Sequence, residues 1–179
     1  PATGSPPPPS DRRRHVFWRS FHLIEIGGLP AHVLLVHAVV VLAPIAGLGA
    51  IIYAVARRWQ AYLAWPLGVL SLGLVPVTLL TAQAGEQLEK IRPASALVHE
   101  HAQQGDVLKV VSVIFFVLVA AMLIVTYEPF GRRLAFLGGL RSNRIVRGMV
   151  LVAGALAGAF FIYQSIITGH SGAASVWAR

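Results

Sequence analysis

The sequence predicts an all-α fold, an integral membrane four-helix bundle preceded by a short interfacial amphipathic helix. Three observations predict it. Hydrophobic residues make up 56% of the 179 residues and charged residues only 12%, about half the charged fraction of an average soluble domain. Four apolar segments each reach the length of about 20 residues that is needed to cross a hydrocarbon core. Arginines cluster in the links between these segments, as expected at the edges of a bilayer.

The region before the first apolar segment divides into two parts. Residues 1–14 are rich in proline and small polar residues, which predicts a disordered tail. Residues 15–28 carry an apolar stripe at helical spacing and end in two glycines, which predicts an amphipathic helix lying in the membrane interface. The stripe consists of Phe17, Phe21 and Ile24. The alternative is an irregular segment that packs against a partner protein.

Residues 29–179 form the predicted four-span domain. The spans must be helical because lipid offers no hydrogen-bond partner to an open strand edge. Small residues, among them Gly154 and Gly158, provide faces on which two helix backbones can approach closely. The predicted spans cover about 31–56, 62–84, 107–127 and 146–168.

The links between the spans differ in charge. Arginines occupy the first and third links, whereas the second, residues 85–106, carries four acidic residues. The positive-inside rule therefore places the arginine links in the cytoplasm, with both termini and residues 85–106 on the other side. Arginines 12–14 and 19 oppose this orientation. The arginines of the two links are Arg57, Arg58, Arg132, Arg133, Arg141, Arg144 and Arg147.

Five of the seven histidines lie near span ends that share one membrane face. Antiparallel threading brings together the starts of the first and third spans and the ends of the second and fourth, so these histidines should converge. They are His32, His37, His99, His101 and His170. A helix that starts at Pro93 and continues into the third span would point His101 into the bundle and His99 nearly the opposite way.

This convergence predicts a haem site. Neutral imidazole is the usual axial ligand of b-type haem, and a haem held between helices needs two facing histidines. We predict His37 and His101 as the ligands of one haem iron, because an ionisable residue within a bilayer marks a functional site. His32, His99 and His170 would be second ligands or belong to a second haem. Side chains placed to fix the rings are Thr81, Gln83, Gln103, Gln104, Thr168 and Ser171. The alternative is that these histidines only cap helix ends.

Other chemistry has little support in the sequence. The absence of cysteine excludes thiolate zinc sites, iron–sulfur clusters and c-type haem attachment within these residues. No signature of a hydrolase, a metalloprotease or a nucleotide-binding loop occurs. The net charge of +8 comes mostly from arginines that flank the spans, so orientation in the bilayer explains it and no nucleic-acid partner is expected.

Three motifs resemble a bacterial family of four-span membrane proteins known as domain of unknown function 2231. They are GLPAHVLLVH at 28–37, LVHEHAQQGD at 97–106 and TGHSGAASVW at 168–177, the last in an actinobacterial style. The resemblance covers about residues 28–177. The chain departs from it after His32, where Val33 stands in place of a common proline, and after His37, where Ala38 and Val39 stand in place of Phe-Pro.

The resemblance implies a role in electron transfer, because family members are sometimes joined to Rieske or cytochrome c domains. We expect a subunit of the bacterial cytoplasmic membrane, rather than a stand-alone enzyme, that binds one or two haems b. It would pass electrons between a partner redox protein and the quinone pool, contacting lipid, quinone and other subunits of a redox complex. One alternative is a non-catalytic accessory subunit of a respiratory complex. Another is a copper or zinc binding membrane protein, although the lack of cysteine and methionine clusters disfavours copper(I).

Overall fold

The computed structural model describes residues 25–26, 29–91, 95–132 and 138–177. Four long helices account for most of them. In chain order the elements are strand β1 (Glu25–Ile26), strand β2 (Leu29–Pro30), helix α1 (Ala31–Val55), a 3-10 turn (Arg57–Trp59), and helices α2 (Gln60–Ile91), α3 (Ala96–Thr126), α4 (Glu128–Arg132), α5 (Gly138–Ser142) and α6 (Arg144–Trp177).

The four long helices form a closed bundle. Helix α1 packs against α2 and α6, and α3 packs against the same two helices. Helices α1 and α3 therefore stand at opposite corners, as do α2 and α6. The core between them contains Tyr53, Leu74, Phe115, Met122 and Phe161, all nearly inaccessible to solvent.

Each of the four long helices is apolar enough and long enough to cross a membrane. The stretches that meet both conditions are Leu34–Val55, Arg57–Gln87, Ala96–Thr126 and Arg144–Ser175. The prediction of four such helices is therefore confirmed by length and composition. Large apolar side chains also point outward from every corner, which suits contact with lipid; Val41, Leu72, Val117 and Leu156 are examples.

Helix α3 begins well before the third predicted span. The Ser95 side chain accepts a hydrogen bond from the backbone N–H of Val98 at 3.2 Å and so caps the helix, as serine does at this position. From Ala96 the helix runs without a break to Thr126. The prediction of one continuous helix into the third span is confirmed, while Pro93 lies outside the described residues.

Small residues set the crossing of α1 and α6. A Cβ atom added to Gly47 would lie 2.5 Å from the carbonyl oxygen of Gly158, and one added to Gly158 would lie 2.6 Å from that of Gly47. Gly154 lies against Met122 of α3, whose Sδ would be 2.7 Å from an added Cβ. The predicted close-packing role of the two glycines of α6 is therefore confirmed.

The segment before α1 differs in part from its prediction. Glu25 and Ile26 pair in antiparallel fashion with Pro30 and Leu29, so the amphipathic helix predicted for residues 15–28 does not include Glu25 and Ile26. Two glycines separate the paired residues, a composition typical of a tight hairpin link. Residues 1–24, with the predicted tail and the rest of that helix, lie outside the described residues.

Candidate functional site

Two of the predicted histidines face each other at one end of the bundle. His32 lies in the first turn of α1 and His101 in the second turn of α3, so the two side chains come from opposite corners. Their ring centroids are 6.1 Å apart and the ring planes are inclined at 75°. Both residues are half-buried.

Helix α2 holds the ring of His32. The Nδ1 atom of His32 lies 2.9 Å from the backbone carbonyl oxygen of Thr81. A carbonyl oxygen can only accept, so Nδ1 carries the hydrogen and Nε2 keeps its lone pair. The ring also lies over Gly85, where an added Cβ would be 3.0 Å from the Cε1 atom of His32. A methyl group at residue 85 would press on the imidazole, which would have to shift by a few tenths of an ångström.

Helix α6 holds the ring of His101 in the same way. The Nδ1 atom of His101 lies 3.1 Å from the hydroxyl of Ser171, and that hydroxyl donates its hydrogen to the backbone carbonyl of Thr168 at 3.0 Å. With its one hydrogen assigned to that carbonyl, the serine hydroxyl accepts from Nδ1, and this assignment leaves the lone pair on Nε2 of His101. An added Cβ on Gly172 would lie 2.9 Å from Cε1 of His101.

A layer of amide groups lies one turn below the histidine pair. The side-chain amide of Gln164 in α6 donates to the side-chain oxygen of Gln104 in α3 at 2.8 Å. The Thr168 hydroxyl donates to the backbone carbonyls of Gln164 and Gln104, at 2.8 and 3.4 Å. These hydrogen bonds join the two helices that carry His101 and Ser171, so they fix the relative position of both residues.

The expected ring-fixing residues divide into two groups. Thr81, Gln104, Thr168 and Ser171 lie around the pair, Thr81 through its backbone. Gln103 instead donates to Nε2 of His99 at 3.1 Å, and Gln83 is exposed. Gly85 and Gly172 were missed by sequence reasoning, although a lone glycine inside a helix often has a packing reason.

His37 does not join the pair that contains His101. Its side chain is exposed on the outward face of α1, in line with the exposed residues Leu34 and Val41. It lies five positions after His32, and at 3.6 residues per turn this offset rotates the two side chains about 140° apart. The pair that the bundle brings together is therefore His32 and His101, in place of the predicted His37 and His101.

His99 and His170 also lie apart from the pair. Both are exposed, and His99 makes a contact of 3.6 Å from Nδ1 to the carboxylate of Glu89 in α2. The prediction that His99 and His101 point in different directions is confirmed. Within the part of the chain that the structure describes, no three histidine, cysteine, aspartate or glutamate residues form a group that could hold a metal ion.

Comparisons with known proteins identified no relative of this chain. No family model matches the chain, and no curated protein or solved structure shows significant similarity to it. The resemblance to the four-span family therefore stays a prediction.

Proposed function

We propose that this chain is a haem b-binding membrane subunit in which His32 and His101 are the axial ligands of the iron. The observation that carries the proposal is that the Nδ1 atom of each imidazole lies within hydrogen-bond distance of an oxygen on a neighbouring helix, at 2.9 Å for His32 and 3.1 Å for His101. Histidines that bind metals typically anchor one ring nitrogen in this way and bind through the other. Both Nε2 atoms are therefore in the protonation state of a ligand.

The donor set suits haem better than zinc or copper. A haem iron takes only its axial ligands from the protein, whereas structural zinc takes four protein ligands and catalytic zinc three. The described residues hold no group of three such donors. Copper(I) selects soft sulfur ligands, and the chain has no cysteine. His32 and His101, whose ring centroids are 6.1 Å apart, would hold the iron from two opposite helices of the bundle.

The proposed setting is the bacterial cytoplasmic membrane, crossed four times. The outward apolar side chains of the four long helices support insertion, because water would not solvate so large an apolar surface. Arg57, Arg58 and Arg144 lie at the end of the bundle away from the histidine pair, and the positive-inside rule assigns that end to the cytoplasm. His32 and His101 then lie near the extracytoplasmic face.

The proposed activity is electron transfer. A haem held by both His32 and His101 would supply one-electron transfer and would leave no position for a substrate. A partner redox protein would approach the histidine end, and the quinone pool in the bilayer would be the other electron carrier. The chain's own residues hold the imidazoles and exclude water from the interior below them.

A non-catalytic accessory subunit is the second candidate, and one observation favours it. The bond from His32 to the Thr81 carbonyl and that from His101 to the Ser171 hydroxyl join neighbouring helices, so both histidines could serve only to stabilise the bundle. On this hypothesis the purified protein has no haem, and alanine at either position lowers only the stability.

The test is a dithionite-reduced minus oxidised absorption spectrum of the full chain, purified from haem-replete membranes. We expect a haem b α band that is lost in His32→Ala and in His101→Ala. The exposed residues His37 and His170 provide matched controls, and His37→Ala and His170→Ala should keep the band. A wild-type protein without the band, or a band that survives both the His32 and the His101 change, would reject the proposal.

A further inference from the structure

An apolar groove runs between α2 and α3 at the end of the bundle away from the histidines. Its volume is about 230 Å³, and its lining includes Trp65, Gly68, Leu72, Phe116, Ala120 and Phe130. It opens to the outside, where Trp65, Val69 and Leu72 are exposed. The groove is therefore accessible from whatever surrounds the bundle, which in a membrane is lipid.

The groove offers no polar group to an occupant. Ser71 is its one hydroxyl-bearing lining residue, and this side chain is buried and donates to the backbone carbonyl of Gly68 at 3.1 Å. A quinone head group would need a hydrogen-bond donor for its carbonyl oxygens, because unpaired polar groups are unfavourable in such a site. A hydrocarbon chain has no such need and fits the lining.

The exposed surface that leads into the groove changes in character along its length. Arginines come first, aromatic side chains follow, and aliphatic side chains come last. Arg57 and Arg58 are exposed in the turn before α2, and Tyr62, Trp65, Val69 and Leu72 follow at helical spacing, all exposed. Trp65 also packs edge-on against Phe130 of α4, with ring centroids 4.8 Å apart. Arginine, then aromatic residues, then aliphatic residues is the order that matches a phosphate, a glycerol region and an acyl chain.

From this complementarity we propose that an anionic phospholipid binds here, with part of one acyl chain in the groove between α2 and α3 and its phosphate at Arg57 and Arg58. The proposal rests on the membrane insertion argued above, and it is independent of haem binding. The groove and the histidine pair lie at opposite ends of α2 and α3. The lipid would therefore cover the arginine end of the bundle and leave the histidine end open to a protein partner.

The test measures lipid association with the reconstituted full chain. Wild-type protein and variants are placed in vesicles of phosphatidylcholine, and the immobilised fraction of spin-labelled phosphatidylglycerol is compared with that of spin-labelled phosphatidylcholine. We expect wild-type protein to prefer phosphatidylglycerol. Arg57→Gln with Arg58→Gln should remove that preference, with about a fivefold loss for each arginine at low salt. Ala120→Phe, which fills the groove, should reduce association of both lipids.

Two matched variants separate this site from general effects. Arg144 is exposed at the same end on α6, diagonally across from α2, so Arg144→Gln should leave the preference intact. Ala159→Phe adds the same bulk as Ala120→Phe on the exposed face of α6 and should have no effect. No preference in wild-type protein, or an equal loss in Arg144→Gln, would overturn the proposal. The haem spectrum of the same samples reports separately on the histidine pair.

Discussion

The tautomers of two histidines follow from single hydrogen-bond partners. The Thr81 carbonyl fixes the state of His32, and the Ser171 hydroxyl fixes that of His101 because its own hydrogen is donated to the Thr168 carbonyl. Removing the serine hydroxyl would leave Nδ1 of His101 without this acceptor. The ring could then rotate or exchange its hydrogen between the two nitrogens, so Ser171 is a positioning residue for the proposed haem ligand.

We expect Ser171→Ala to weaken haem binding by about 10- to 100-fold, the usual effect of removing a group that orients a metal ligand. The measurement is haem titration of the apoprotein, followed by absorption. Ser175 is the control, because it lies one turn further along α6 and its hydroxyl donates only to the Gly172 carbonyl. Equal affinities in Ser171→Ala and Ser175→Ala would contradict the role assigned to Ser171.

The predicted inward direction of His101 agrees with the structure, whereas the side chain of His37 is exposed on the outward face of α1. The spacing of His101 along its helix correctly pointed it into the bundle, because a helix leading into a span continues its rotation. His37 was predicted as a haem ligand because of its depth in the bilayer. Depth along a helix does not determine whether a side chain points into the bundle or away from it. Its rotation of about 140° from His32 was computable from 3.6 residues per turn, but which of the two faces inward depends on how α1 packs.

At the scale of the helices, the crossing of α1 and α6 depends on two glycines. Each would place an added Cβ within 2.6 Å of the other's backbone oxygen, and backbone cannot move aside as a side chain can. We expect Gly158→Ala to separate the two helices and lower the free energy of unfolding by about 1–3 kcal/mol, the range for overpacking. Unfolding in mixed detergent micelles, followed by circular dichroism, measures this loss.

Gly148 provides the comparison on the same helix. An added Cβ there meets no atom within 4 Å, so Gly148→Ala should be neutral or stabilise α6 by up to about 1 kcal/mol, since alanine favours a helix more than glycine does. Similar losses in the two variants would mean that the crossing does not depend on the close approach of Gly47 and Gly158.

The existence of the four long helices was predictable, while some of their boundaries were not. Apolar length identifies a span, but it does not report the helical turns that extend beyond the hydrocarbon. The extension of helix α3 before its span was predicted, but its start at Ala96, where Ser95 caps the helix, was not. Glu25 and Ile26 were assigned to a helix by apolar spacing, but they pair with Leu29 and Pro30, a contact that spacing within one segment does not reveal.

For the whole molecule, the arrangement of four antiparallel helices separates an arginine end from a histidine end. The absence of cysteine allows this polarity to be tested with single introduced cysteines. Ser142 and Ala173 are exposed at the arginine and histidine ends, respectively. With a membrane-impermeant maleimide on intact cells, we expect Ala173→Cys to be labelled and Ser142→Cys to be labelled only after lysis. The reverse pattern would invert the proposed orientation.

The polar interior of the bundle was only partly visible in the sequence. Serine, threonine and glutamine occur in the second, third and fourth apolar segments or next to them. Helical spacing puts Gln104 on the face of His101 and Gln103 on the face of His99, but it does not reveal that Gln104 bonds to Gln164 across the bundle or that Gln103 bonds to His99. Their roles emerge only when α3 and α6 are packed together. The groove between α2 and α3 likewise depends on which small residues of the two helices come to lie side by side.

The bracing of the two imidazoles restricts when a cofactor can enter during biogenesis. His32 and His101 belong to α1 and α3, but the ring of His101 is held by Ser171 and Gly172 of α6. A nascent chain with only three helices inserted would already contain both histidines, yet it would lack the hydroxyl that sets the tautomer of one of them. Maturation of the centre should therefore follow integration of the last long helix, so that partly synthesised chains remain empty.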